Sequence, residues 1–142
     1  MTRLLTSVLF LIALTACKKD SIAPVEEIAA IVGKWRIVKQ QYNIADSTVT
    51  EAVPRGSSWV YVFRADGVLV NENGYKPCCI PEQYSLNGKE FKPEPANPAI
   101  FDPFCANVYC VSCPEMSITH TTPDTLVIET CSKDFKTFVR EQ

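Results

Sequence analysis

Beyond residue 33, apolar and polar positions alternate over short stretches, which is the period of two that β-strands with one buried face show. The clearest stretch is 59–64, where Trp59, Tyr61 and Phe63 share one face and Arg64 ends the other. β-Branched and aromatic residues, which favour strands, recur in the other stretches. The pattern predicts about eight strands, over 35–42, 59–64, 68–70, 82–86, 89–92, 116–120, 125–130 and 135–140.

Turn sequences connect these segments at short intervals. Asn87-Gly88 is a strong hairpin signal because both residues tolerate positive φ, and Ala65-Asp66-Gly67 predicts a second hairpin. Residues 43–56 are polar and contain Pro54 and Gly56, so we expect a loop there. Residues 24–32 predict a short helix that Gly33 ends. The fold class is therefore all-β, with about eight antiparallel strands in a meander barrel or a sandwich behind a short N-terminal helix.

The N-terminus has the pattern of an export signal. Arg3 precedes an apolar run that is too short to span a membrane, and small residues follow it. Leu14-Thr15-Ala16-Cys17 resembles the lipobox of bacterial lipoproteins, and the Cys-Lys-Lys-Asp start resembles lipoproteins of Bacteroidetes-type bacteria. This resemblance implies cleavage before Cys17, which then carries acyl chains. A plain signal peptide and a short transmembrane anchor are the alternatives.

These features divide the chain into a signal peptide over 1–16, a lipidated tether over 17–23 and one domain over 24–142. Acyl chains on Cys17 would anchor the protein to a membrane. Lys18 follows Cys17 where sorting to the inner membrane would favour aspartate, so the analogy implies the outer membrane, on its periplasmic or surface face.

The remaining six cysteines would lie in an oxidising compartment, where disulfides are the default. They are Cys78, Cys79, Cys105, Cys110, Cys113 and Cys131. Five of the six lie in a proline-rich stretch over 77–114, which we interpret as an excursion from the sheet. Adjacent Cys78 and Cys79 rarely bridge each other, so we expect different partners for them.

One pairing follows from strand register. If His120 pairs with Thr125 in the hairpin formed by residues 116–120 and 125–130, Cys131 lies opposite Pro114, one position from Cys113. We therefore predict a Cys113–Cys131 bridge, with Cys78 and Cys79 bonded to Cys105 and Cys110.

Two other chemistries remain open for these cysteines. Cys110 and Cys113 have the C-x-x-C spacing of redox sites, although strand-forming neighbours and Pro114 argue against a helix N-terminus there. Zinc would use Cys110, Cys113, His120 and Cys131, although a second C-x-x-C or H-x₃-H pair is missing. Structural disulfides are the preferred interpretation.

Several motifs together resemble the lipocalin-like domains of small bacterial lipoproteins. Gly33-Lys34-Trp35 resembles the G-x-W signature that opens the first lipocalin strand, and Trp59, Phe63 and Asp66-Gly67 resemble a W-x-x-x-F-x-x-D-G hairpin. The resemblance implies a barrel closed at its base by Gly33, Trp35 and a late arginine, Arg140, lying across that tryptophan. The barrel interior and ligand candidates are Trp35, Trp59, Tyr61, Phe63, Leu126 and Ile128.

Composition excludes several functions. The net charge is −2, with 14 basic and 16 acidic residues, so nucleic-acid binding is not expected. Five glycines are too few to suggest a phosphate-binding loop. The single histidine, His120, is interpreted as a surface residue, and no catalytic set, resident metal or cofactor is expected.

Two functions from different classes follow. The first is a non-enzymatic, membrane-anchored lipoprotein whose barrel binds a small apolar ligand. The second is a structural or protein-interaction lipoprotein with a filled barrel, in which the disulfide-stapled excursion presents Phe101, Phe104 and Tyr109 to a protein partner. A redox lipoprotein using Cys110 and Cys113 is a distant third.

Overall fold

The computed structural model describes residues 23–95, 97–110, 115–130 and 133–142, and these residues form nine strands. The strands are β1 Gly33–Ile44, β2 Ser47–Ala52, β3 Val60–Phe63, β4 Leu69–Asn71, β5 Tyr84–Leu86, β6 Lys89–Phe91, β7 Met116–Thr122, β8 Thr125–Thr130 and β9 Phe135–Arg140. Helical structure in the described residues is limited to 3-10 turns at Glu26–Ile28, Arg55–Ser57 and Pro103–Asn107. No helix among them is both long enough and apolar enough to cross a bilayer. The all-β expectation is confirmed.

The sheet is a curled, mixed half-barrel, so the expected closed antiparallel meander is wrong. Eight strands follow the order β4-β3-β1-β9-β8-β7-β5-β6, and β2 pairs with β1 outside this path. Because β4 and β6 are the two ends of that path, no ladder of the described residues joins them. The strands therefore enclose a core on one side and leave an opening on the other.

One parallel pair breaks the meander. Ser85 and Leu86 of β5 pair in parallel with Ser117 and Ile118 of β7. Local turn signals predict that neighbours in sequence pair with each other, but the long connection over 92–115 carries the chain past β6. β7 consequently lies beside β5, and β6 becomes an edge.

The expected loop over 43–56 contains a strand that sequence reasoning missed. β2 pairs antiparallel with the second half of β1, from Lys39 opposite Ala52 to Ile44 opposite Ser47. Most of its side chains are exposed. Because β2 is a polar ribbon with little buried face, it lacks the apolar alternation by which strands are recognised.

The β7–β8 hairpin is one residue out of the expected register. Ile118 faces Ile128, and His120 faces Leu126 instead of Thr125. β7 continues to Thr122, with an irregularity between His120 and Thr122, so the turn is shorter than expected. An irregularity of this kind adds a residue to one strand, and sequence periodicity does not locate it.

The prediction of a helix over 24–32 is also wrong. The segment forms a single 3-10 turn at Glu26–Ile28. Ile28 and Ile31 are both fully buried against the base of the half-barrel. Their backbone amides donate to the carbonyls three residues earlier, at Val25 and Ile28. Anchoring two isoleucines in the core holds this segment as tight turns.

The hairpin at Asn87-Gly88 is confirmed. Both residues have positive φ, of 50° and 84°, and Leu86 pairs with Lys89 across the turn. The core lies in the concave side of the half-barrel. It is formed by Ile28, Ile31, Trp35, Ile37, Phe63, Leu69, Tyr84, Leu86, Met116, Ile118, Leu126, Ile128 and Phe138.

Candidate functional site

A cation–π contact closes the base of the half-barrel. The Arg140 guanidinium lies 4.2 Å from the centre of the Trp35 ring, which is the contact that the family resemblance implies. The same guanidinium donates hydrogen bonds to the carbonyls of Val32, Ala30 and Pro123, at 2.9, 2.7 and 3.1 Å. One side chain thus ties the N-terminal segment and the β7–β8 turn to the start of β1.

Gly33 makes this closure possible. Its φ of +131° is unfavourable for residues with a side chain, and a Cβ placed there would lie 2.9 Å from Arg140 Nη1. Trp35 Nε1 donates to the Ile31 carbonyl at 2.6 Å, which satisfies the indole of a fully buried ring. Gly33, Trp35 and Arg140 therefore act together, as a structural base.

The six candidates for a ligand-lined interior do not share one environment. Trp35, Phe63, Leu126 and Ile128 are at most 2% exposed and belong to one packed cluster. Tyr61 is partly buried and stacks on Phe138, with ring centres 5.2 Å apart. Burial raises the pKa of Tyr61, so its phenol stays protonated at neutral pH.

The placement of Trp59 in the barrel interior is wrong. Trp59 precedes β3 and is 40% exposed, so it does not face the interior with Tyr61 and Phe63. β3 begins at Val60 and is therefore shorter than the alternation over 59–64 suggested. None of the six interior candidates lines the cleft described next.

A cleft of about 240 Å³ lies on the open side of the half-barrel. Leu69 of β4 and Tyr84 of β5 contribute to it from the sheet, Ile80 and several prolines from the loops, and Lys76, Glu82 and Lys92 add charge. The complete lining is Val68, Leu69, Lys76, Ile80, Pro81, Glu82, Tyr84, Lys92, Pro93, Pro95, Pro98 and Ala99. Sequence reasoning placed these prolines in a loop but did not assign them a cleft, which their clustering could have suggested.

Tyr84 connects the cleft to the core. Its hydroxyl donates to the Gly67 carbonyl at 3.0 Å, and its ring packs edge-on against Phe63 with centres 6.0 Å apart. Burial, reinforced by the Asp66 carboxylate, raises the pKa of Tyr84 well above its ordinary value. The phenol is therefore a hydrogen-bond donor at every physiological pH.

Two disulfides hold the excursion beside this cleft. Cys78 is bonded to Cys105 and Cys79 to Cys110, which is the grouping expected from the sequence. The two bonds join residues 27 and 31 positions apart, so they cross-link the excursion at both of its described borders. We call residues 97–110 the stapled segment.

Polar contacts fix the stapled segment to β4. Asn71 Nδ2 donates to the Asp102 carboxylate at 2.8 Å, and the other Asp102 oxygen accepts from the Phe104 amide at 2.9 Å. The Lys76 ammonium lies 4.8 Å from the Phe101 ring centre, and its backbone pairs with the stapled segment on both sides. The segment is thus held by disulfides, a cation–π contact and hydrogen bonds.

The stapled segment directs large apolar side chains to solvent. Phe101, Phe104 and Tyr109 are 54%, 68% and 94% exposed, and Ile100 is 68% exposed. Four of the seven exposed large hydrophobic residues found in the described parts of the chain therefore lie within ten positions. These side chains make the stapled segment a candidate interaction surface.

The comparisons with known proteins add no relative. No family model, no curated protein and no solved structure matches this chain. The lipocalin resemblance consequently rests on the motifs of the sequence.

His120 is more enclosed than the surface residue expected from the sequence. Its ring meets the edge of Trp35, with centres 6.2 Å apart, and its backbone amide donates to Asn87 Oδ1 at 2.9 Å. Its Nε2 atom is buried and has no hydrogen-bond partner among the described residues. The described residues also contain no group of three or more His, Cys, Asp or Glu placed to hold a metal ion.

Two of the sequence-based site assignments lie outside the described residues. These are the lipid attachment at Cys17 and the Cys113–Cys131 bridge. The signal peptide and most of the tether lie outside them as well.

Proposed function

We propose that this protein is an exported, non-enzymatic lipoprotein that binds a protein partner through the stapled segment. The observation that carries the proposal is the exposure of Phe104 and Tyr109 on a segment fixed by two disulfides. Aromatic side chains supply a large part of the energy of protein interfaces and are enriched there.

The rigidity of the segment favours recognition. A mobile loop loses conformational entropy when it binds, at a cost of roughly 0.5–1.5 kcal/mol for each immobilised side chain with many rotamers. The disulfides and the Asn71–Asp102 hydrogen bond impose order before any partner arrives. Binding would therefore retain more of the energy of burying the aromatic rings.

Cross-linking from single positions tests this contact. A photoreactive phenylalanine at position 104 is expected to give a discrete adduct with one envelope protein in cells that produce the chain. The matched control is position 44, because Ile44 is 58% exposed on the β1–β2 hairpin, away from the stapled segment. Phe104→Ser should abolish co-purification of the adduct protein, whereas Ile44→Ser should preserve it. Equal adducts from both positions would contradict the proposal.

A membrane anchor at Cys17 is part of the same proposal, and the lipobox-like sequence supports it. Labelled palmitate should be incorporated into the wild type and not into Cys17→Ser. Cys113→Ser is the matched control and should retain the label. Label in both variants would place acylation elsewhere, and no label in the wild type would refute the anchor.

A small apolar ligand is the second candidate, and the cleft is the observation that favours it. Four of the interior candidates are tightly packed, so a ligand has better access to the cleft between Leu69, Ile80 and Tyr84. Mass spectrometry of gently extracted full-length protein should detect a bound small molecule. Ala99→Phe, which fills the cleft, should remove that adduct, while Ala106→Phe on the exposed face should keep it. An adduct unaffected by Ala99→Phe would exclude the cleft.

A further inference from the structure

Three arginines converge at the base of the half-barrel. Arg36, Arg55 and Arg140 line a surface pocket of about 280 Å³ together with Glu141 and Gln142. β1 supplies Arg36, β9 supplies Arg140, and the 3-10 turn after β2 supplies Arg55. In the β1–β9 ladder Arg36 lies opposite Val139 and Trp35 lies opposite Arg140, so Arg36 and Arg140 start from opposite faces of the sheet, and both line the pocket where β9 ends.

The pocket has an excess of positive charge. Glu141 is the one acidic side chain in its lining, so the side chains that line it carry two more positive than negative charges. The chain as a whole has a net charge of −2, and this pocket is therefore a local exception. Concentrated positive charge on an acidic protein selects for anions that approach this face.

Much of the hydrogen-bonding capacity of the arginines is unused. Arg36 donates through Nε to Glu141 Oε1 at 2.8 Å, and its two terminal nitrogens make no hydrogen bond to a described residue. Arg55 is 83% exposed and reaches Glu141 only at 3.8 Å. In Arg140, by contrast, all three guanidinium nitrogens donate to backbone carbonyls, and Nε lies 3.9 Å from the Asp124 carboxylate. The two terminal nitrogens of Arg36 and the side chain of Arg55 can turn to a ligand without breaking the base.

We propose that Arg36 and Arg55 bind a phosphate monoester in this pocket, beside the positive charge of Arg140. One guanidinium group can donate two parallel hydrogen bonds to two oxygens of a phosphate, which an ammonium group cannot do. In the unliganded pocket the Glu141 carboxylate forms an ion pair with Arg36. A phosphate that binds there would contact the arginines beside this carboxylate.

The phosphate has two possible sources. A free phosphate ester could enter from solvent, because Arg55 is open to it. A lipid headgroup is the other source, because Arg140 binds carbonyls of the segment that follows the proposed tether. Both sources present the same chemical group, so the same side chains would bind either.

Titration calorimetry on the full-length chain in neutral detergent micelles tests the site. Glycerol 3-phosphate is the soluble probe, and micelles that contain phosphatidic acid are the lipid probe. We expect binding of glycerol 3-phosphate that weakens as NaCl rises. If phosphatidic acid displaces the soluble probe, the lipid is the better ligand, and if it does not, the site takes free esters. Absence of binding to both probes would overturn the proposal.

Variants of one ion pair separate binding from stability. Arg36→Gln and Glu141→Gln both break the Arg36–Glu141 pair, so a purely structural role predicts the same change for both. A phosphate site predicts opposite changes, with affinity falling about two- to fivefold in Arg36→Gln and rising by a similar factor in Glu141→Gln. Arg55→Gln should also weaken binding about two- to fivefold, and Lys39→Gln, which removes an equal charge elsewhere on β1, should not. Changes of the same sign in the first two variants would refute the site.

Discussion

Replacing Arg140 by methionine tests how the half-barrel is closed. Methionine keeps much of the apolar stem but removes the guanidinium that lies over Trp35 and binds three carbonyls. The cation–π contact contributes about 0.5–2 kcal/mol. The hydrogen bonds add to this, but the side chain is 29% exposed and water can replace part of them. We expect the free energy of unfolding to fall by about 3 kcal/mol.

Urea denaturation of the unreduced protein measures this change. A loss of about 3 kcal/mol should lower the midpoint by roughly 2 M urea for a domain of this size. Arg140→Lys should recover less than half of the loss, because one ammonium can lie over the ring but cannot reach all three carbonyls. Arg55→Met is the control, because Arg55 is 83% exposed, and it should change stability by less than about 0.5 kcal/mol. If the free energy of unfolding of Arg140→Met lies within about 0.5 kcal/mol of the wild-type value, Arg140 does not close the half-barrel.

Three further predictions concern the cross-link, the buried phenol and the base glycine. The double variant Cys78→Ser/Cys105→Ser should lose about 2 kcal/mol of stability in thermal unfolding, because the Cys79–Cys110 bond still closes the long loop and only the short ring between the two bonds is released; an unchanged midpoint would show that this bond is dispensable. The folded-state pKa of Tyr84 is raised, so its contribution is fully present below about pH 10 and is lost as pH rises towards the folded-state value. Rapid urea unfolding between pH 9 and 11 should therefore show a decline that Tyr84→Phe reduces, and equal slopes would contradict it. Gly33→Ala should cost about 1–3 kcal/mol in urea unfolding, through its positive φ and its contact with Arg140, while Gly74→Ala, where φ is also positive but space is open, isolates the backbone part.

Local chemistry explains which parts of the fold are visible in the sequence. Asn87-Gly88 specifies its turn by the φ values it tolerates, and the lipocalin-like motif correctly pairs Trp35 with Arg140. β2 could not be predicted because its side chains are polar and exposed, so its sequence lacks the apolar alternation of a strand with one buried face. The register beside His120 was missed by one residue because an irregularity is a property of the pair of strands.

The candidate surfaces depend on long-range contacts, and the sequence predicted them unevenly. The exposed aromatics of the stapled segment were anticipated, since cysteines and prolines mark an ordered excursion from the sheet. The cleft was not, because it requires Leu69 and Tyr84 from strands that local pairing rules would not leave beside an opening. The arginine pocket was also missed, because Arg36 on β1 and Arg55 in the turn after β2 lie far apart in sequence from Arg140 on β9 and meet only through long-range strand pairing.

The half-barrel leaves sheet edges unpaired in the described residues, and the disulfide-bonded segment covers one of them. An exposed sheet edge invites pairing with another chain, and closed barrels avoid this by joining their first and last strands. Here the two ends of the eight-strand path, β4 and β6, are only three residues long, and β6 begins with the charged residues Lys89 and Glu90. The stapled segment covers the β4 side, where Asn71 binds Asp102 and the Lys76 backbone pairs with Ile100. The two disulfides therefore hold a segment that covers the β4 edge of the sheet. Because a segment that covers an edge need not bury all its own side chains, Phe104 and Tyr109 remain free to contact a partner.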